Sequence, residues 1–279
     1  MVGPMKNLLP LSLLVCSIAA PQARAQTGPM KDALTFHAGF DGGVDASVGA
    51  GDRRLYTAPD YKAQGDARPG LGNPDVEIAK GAGRHGDALR FKRKNTHALF
   101  YKAENNVAFD ERNWTGTISF YLRLDPDKEL EPGFCDPIQV TDKAYNDSAI
   151  WVDFTKDDQP RHFRLGVFGA LAAWNPQNLP SDKSPKFSSR LVVVKRPPFS
   201  AGKWVHVAIT YSGIGSGQGV ARLYLDGQKM GASPAIEEKL QWDLSKAAIR
   251  LGVNYVGLFD ELSVYNRALT EAEIRALAK

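Results

Sequence analysis

Cysteine is nearly absent from this chain. Of its 279 residues only Cys16 and Cys135 carry thiols, and Cys16 falls in a segment expected to be removed. One remaining cysteine forbids an intrachain disulfide, so a hydrophobic core has to supply the stability. Charge imbalance is also missing, with 35 Lys and Arg against 31 Asp and Glu. That balance argues against a dedicated nucleic-acid surface, and Lys92-Arg93-Lys94 reads as a solvated strand end. Beyond the first twenty residues no apolar run approaches the ~20 residues a membrane span needs, so no membrane insertion is expected of the processed chain. Helical periodicity is scarce until the C-terminus.

At the start, Lys6 precedes the apolar run Leu8–Ala20, and Ala23-Arg24-Ala25 has the small-x-small form of a cleavage site. Residues 1–25 therefore read as a secretory signal peptide cut after Ala25, which places the product in a periplasm or outside the cell. Residues 26–33 are expected as a flexible start, and 34–279 as a single domain.

What fills that domain is a succession of short alternating segments separated by glycine and proline turns. Leu34–Phe40, Thr117–Leu124, Ala149–Phe154, Phe163–Phe168, Trp204–Tyr211 and Val220–Leu225 each alternate apolar with polar positions. Asp226-Gly227 is a two-residue hairpin turn. Short strands at regular spacing with one terminal helix give an all-β fold, an antiparallel two-sheet sandwich.

The closing stretch Gly257–Ala278 carries the sharpest anomaly. Alternation puts Leu258, Asp260, Leu262 and Val264 on one face, so Asp260 lies among aliphatic neighbours. A carboxylate there must bond backbone amides or a cation. Thr270 and Glu273 then form a capping box that opens a short helix.

Several segments resemble the laminin G-like, concanavalin A-like jelly rolls: GRHGDALRF, AGKWVHVAITYSG, VARLYLDG and GLFDELSVYNRALTEAEIRAL, in the family's order. The resemblance implies two curved antiparallel sheets packed face to face, closed by a short C-terminal helix. It also implies a structural calcium (Ca2+) site, with Asp260 and Asp41 as the ligands this chain offers. The alternative, that Asp260 accepts backbone N–H bonds without a metal, stays open.

Enzymes share this fold, but the acids Asp125, Asp127, Glu129 and Glu131 are interrupted by Pro126 and read as a solvated loop rather than a catalytic strand. The five histidines show no metal spacing. No catalytic residues emerge, and the expected function is a non-catalytic exported module binding carbohydrate or an extracellular protein partner. A diverged glycoside hydrolase or lyase is the alternative. The binding candidates are Trp174-Asn175, in the long irregular segment 169–189, and Trp151 with Asp153 on an alternating strand. An aromatic in such a loop commonly serves as a packing plug.

Overall fold

The computed structural model describes residues 1, 29–94 and 96–279. The expected signal segment and its cleavage site lie outside the described residues. All paired strands run antiparallel and form two sheets. The nine-stranded sheet runs in the order Gln228–Ala232, Val220–Leu225, Val205–Ile214, Trp114–Arg123, Gly257–Tyr265, Leu34–Ala38 and Val48–Gly49, with Ala88–Phe91 and Val76–Ala79 attached beside Gly257–Tyr265. The eight-stranded sheet runs Val192–Val194, Phe163–Phe168, Ala149–Phe154, Cys135–Thr141, Ala248–Val253, Ala98–Lys102, Tyr56–Ala58 and Arg68–Pro69. The expected all-β sandwich is what the chain adopts.

Alternation explains the packing. Ile118, Phe120 and Leu122 from one sheet meet Ile138, Val140, Ile150 and Val152 from the other in a single buried core. Trp114, fully buried, donates its indole N–H to the Val107 carbonyl at 3.0 Å, which satisfies the one polar atom it brings inside. Burying side chains of this size stabilises the fold by about 1.5–3 kcal/mol each.

Three short segments depart from the sequence expectation. Residues 30–33 form a 3-10 turn, and Ala33 and Met30 pack with Tyr265, Leu269 and Ile274 under the C-terminal helix Glu271–Leu277. An apolar patch on the outer face of the nine-stranded sheet holds these four residues, while 26–28 of the expected flexible start lie outside the described residues. Pro126–Glu129 is one turn of helix rather than a loop, with proline at its first position, where its missing N–H costs nothing.

The third departure concerns Asp260. Glu261 has φ 56, and the pairing with Trp114–Arg123 shifts register between Asp260 and Ser263. This bulge inverts the alternation. Phe259, Leu262 and Val264 face the core, whereas Asp260 stands opposite Tyr121 on the outer face. The acid is fully buried, but under a turn rather than in the core.

Candidate functional site

The outer face of the eight-stranded sheet is roofed at both ends. At one end Tyr61 and Ala67 pack on Tyr56, Phe100 and Ala248. At the other end, segment 169–191 folds into short turns that seal Trp151, Phe168, Trp174 and Phe187 into an apolar cluster. Between the roofs the floor is polar, and a cleft of about 690 Å3 opens there.

The floor is set by cross-strand register. Asp153 faces Arg164 directly across the pair Ala149–Phe154 and Phe163–Phe168. The guanidinium grips the carboxylate with two bonds, Nε to Oδ1 at 2.8 Å and Nη2 to Oδ2. A bulge between Val152 and Phe154 brings Asp136 of the neighbouring strand close to Asp153, and Gln139 Nε2 donates to Asp136 Oδ2. Burial raises the pKa of both acids, and the nearby Asp153 charge raises Asp136 further. Because Arg164 matches the Asp153 charge, Asp136 is the member of the pair that holds a proton the more tightly. A protonated carboxyl can donate as well as accept.

Two aromatic side chains border this floor and reach solvent, Phe134 at 42% and Tyr145 at 41% exposure. Arg164 lies 4.8 Å from the Phe134 ring centre and 5.8 Å from that of Trp151. Tyr145 bonds Ser181 at 2.7 Å and so ties one wall of the cleft to the roof. Neither aromatic stands on an alternating strand, which is why sequence reasoning passed over them. Phe134 sits in the turn PGFCDP and Tyr145 in a loop, and only their outward placement in three dimensions marks them.

Of the sequence candidates, the structure brings Trp151 and Asp153 together at this cleft. Trp151 is 1% exposed, lies at the base and donates its indole N–H to the Tyr145 carbonyl. Its ring occupies the space left by Gly166, where an added Cβ would fall 2.2 Å from it. Trp174 and Asn175 are not at the cleft surface. Trp174 is buried and donates to the Asn146 carbonyl, and Asn175 closes its own loop through Leu179. The segment is long because it is a roof, and Trp174 is the plug that fastens it.

The expected calcium ligands are placed apart in role. Asp260 Oδ2 accepts from the Arg84 and His85 amides at 2.7 and 3.3 Å, and Oδ1 accepts from the Glu261 amide at 2.8 Å. Asp41, exposed to solvent, accepts from the Asp87 amide at 2.7 Å. Both acids thus hold the turn Gly83–Asp87 through its N–H groups. Calcium needs a shell of six to eight oxygens, and among the described residues no group of three or more His, Cys, Asp or Glu is placed to hold a metal. The hydrogen bonds described for both acids are all to backbone amides, and each of those from the Gly83–Asp87 turn ties that turn to the sheet. Burial pushes the Asp260 carboxyl up to about 7 against the pull of its amide donors.

A family model described as the concanavalin A-like lectin/glucanases superfamily matches residues 105–275. No curated protein matches the chain. Among solved structures, domain 4 of AbnA, an extracellular arabinanase from Geobacillus stearothermophilus in complex with arabinotriose, aligns at 17% identity and a TM-score of 0.55, covering 88% of this chain and 98% of that one. The binding domain of botulinum neurotoxin DC, in complex with rat synaptotagmin II, aligns at 10% identity and a TM-score of 0.55, covering 89% of this chain and 52% of that one. Trypanosoma rangeli sialidase aligns at 14% identity and a TM-score of 0.50, covering 95% of this chain and 36% of that one. At these identities the likeness shows the fold.

Proposed function

Because the chain belongs to the concanavalin A-like lectin/glucanase superfamily, we propose that it is an exported, non-catalytic module that binds a glycan in the cleft over Asp136, Gln139, Asp153 and Arg164. The observation that carries this reading is the cleft itself, with two solvent-reaching aromatic rings beside a floor of fixed hydrogen-bonding groups. Sugars present apolar C–H faces and hydroxyls that both donate and accept. An aromatic wall beside oriented polar groups is the chemistry such a ligand requires. The floor is held rigid by the Asp153–Arg164 pair, so little ordering is needed on binding. Arabinotriose in the arabinanase domain of like fold supports a carbohydrate ligand, and synaptotagmin II on the neurotoxin domain of like fold supports an extracellular protein as the other partner class. Export rests on the apolar run Leu8–Ala20 with its Ala23-Arg24-Ala25 site.

A second reading, a diverged glycoside hydrolase, draws on the Asp136 and Asp153 pair. One carboxyl protonated and one ionised is the division of roles that glycoside hydrolysis uses. Against it, Arg164 bonds both oxygens of Asp153, which holds that carboxylate in an ion pair and weakens it as a nucleophile or base. A glycan array probed with the chain lacking residues 1–25, and scored also for released oligosaccharide, separates the two. Binding without product is expected. Product formation assigns the cleft to catalysis, and silence across the array removes the glycan reading.

A further inference from the structure

A second pocket, about 390 Å3, opens at one end of the nine-stranded sheet, among Arg90, Lys92, Arg123, Glu129 and Leu258. Arg90 and Arg123 are the two direct cross-strand partners of Leu258. Cross-strand partners share a face of the sheet. Leu258 lies outside the core that its neighbour Phe259 enters, so both arginine side chains project from the outer face. That face looks away from the cleft over Asp153 and Arg164. Two strand spacings put the arginine backbones about 10 Å apart, and Leu258, 6% exposed, is the floor between them.

The neighbouring cations are charge-matched, but these two are not. Lys92 pairs with Glu77 at 3.4 Å, Arg93 with Asp75 at 2.7 Å and Lys203 with Asp226 at 2.6 Å. Among the described residues neither Arg90 nor Arg123 has a hydrogen bond or a carboxylate partner. Glu129, the one acid in the lining, accepts from the Asp125 amide at 2.7 Å through its Oε1. Arg123 is half-buried, with its guanidinium 5.1 Å from the centre of the Trp204 ring, and that ring packs against the patch of Ala79, Ala88 and Leu258. One guanidinium is therefore held at the pocket before anything binds, and the exposed Arg90 stands across from it.

A guanidinium donates and never accepts, and its planar fork fits a pair of oxygens on one acid group. Two unpaired forks call for an anion. A planar carboxylate has two oxygens and is filled by one fork, whereas a tetrahedral phosphate offers oxygens to both. At neutral pH a phosphate group also carries a charge of about −1.5 to −2, close to the charge of two arginines. We propose that this pocket binds a phosphate group, free or as a monoester, clamped between Arg90 and Arg123 above Leu258. Lys92 adds a third cation to the lining, its charge shared with Glu77. The site is separate from the glycan cleft and does not depend on it.

The test is calorimetric titration of the chain lacking residues 1–25, at neutral pH and at fixed ionic strength because salt screens exposed charge. The probes are inorganic phosphate, glycerol 3-phosphate and, as a planar control, acetate. The better of the two phosphates is expected to bind at least about tenfold tighter than acetate. Arg90→Gln and Arg123→Gln should each weaken that binding about tenfold, with the β-sheet circular dichroism spectrum retained. Tighter binding of glycerol 3-phosphate assigns the pocket to an esterified group, and equal or tighter binding of inorganic phosphate to the free ion. Where Arg123→Gln disturbs the Trp204 packing, the exposed Arg90 decides the matter alone. Acetate bound as tightly as the phosphates, phosphate affinity unaltered by Arg90→Gln, or no binding of either phosphate overturns the proposal.

Discussion

Asp260 shows how much one backbone angle decides. Read by alternation, GLFDELSVY puts the acid among core aliphatics. The left-handed Glu261 moves it to the opposite face, where three amides receive it. Nothing in the residue types announces that bulge, because Glu has no preference for positive φ. The need for a partner was legible, but its identity was not. With a folded pKa raised to about 7 from an ordinary carboxylate value near 4, Asp260 binds its proton more tightly in the native state. The stability it contributes is complete below about pH 4 and is lost as pH rises through 7, at up to about 1.4 kcal/mol per unit. Urea denaturation of wild type and Asp260→Asn from pH 4 to 8 checks this. The difference in stability between the two should change across that window in favour of the variant as pH rises, and a flat difference contradicts the assignment.

The cleft acids make a second residue-scale case. Asp153 was legible as a strand residue beside Trp151, but its partner Arg164 follows from register, which one strand's sequence does not contain. Asp153→Asn leaves the guanidinium without its bidentate partner and is expected to cost about 3 kcal/mol. Asp136→Asn replaces the acid that holds its proton the more tightly, and its effect should stay within about 1 kcal/mol. Equal costs by chemical denaturation would contradict this placement, and a larger cost for Asp136→Asn would put the charge the other way round.

Among the elements, the strands were largely readable because alternation and turn residues agree along them. Thr117–Leu124 and Val220–Leu225 needed no tertiary information. The segment 169–189 had no periodicity to read, since its order comes from Trp174 and Phe187 packing on the sheet. Its anchor on the sheet side depends on a glycine. Trp151 lies flat where the Cβ of residue 166 would be, so Gly166→Ala should force the indole aside and cost about 1–3 kcal/mol. The same change should loosen the roof, seen as faster amide exchange at Leu171–Trp174. A thermal shift of zero would mean the indole moves freely.

Across the whole molecule, the expected calcium ion would have tied the first strand to the last. In the structure backbone hydrogen bonds between Leu34–Ala38 and Gly257–Tyr265 do this directly, and the two acids secure the turn Gly83–Asp87 through its amides. Millimolar EDTA is therefore expected to leave the melting temperature unchanged, and added calcium should not raise it. A chelator-induced fall of several degrees would instead support the calcium site expected at Asp260 and Asp41. The fold as a whole was legible from strand spacing and from the closing strand and helix. The cleft was only partly so, because it is assembled from three strands, a turn and a roof whose meeting point no single stretch records.

The glycan reading meets its most direct test at Phe134 and Tyr145, the solvent-reaching rings of the cleft. Calorimetric titration of the wild type and the Phe134→Ala/Tyr145→Ala double variant with the best glycan from the array is the measurement. Loss of about tenfold or more in affinity, with the β-sheet circular dichroism spectrum retained and with no shortened oligosaccharide released, is the expected result. Undiminished binding by the double variant would contradict it.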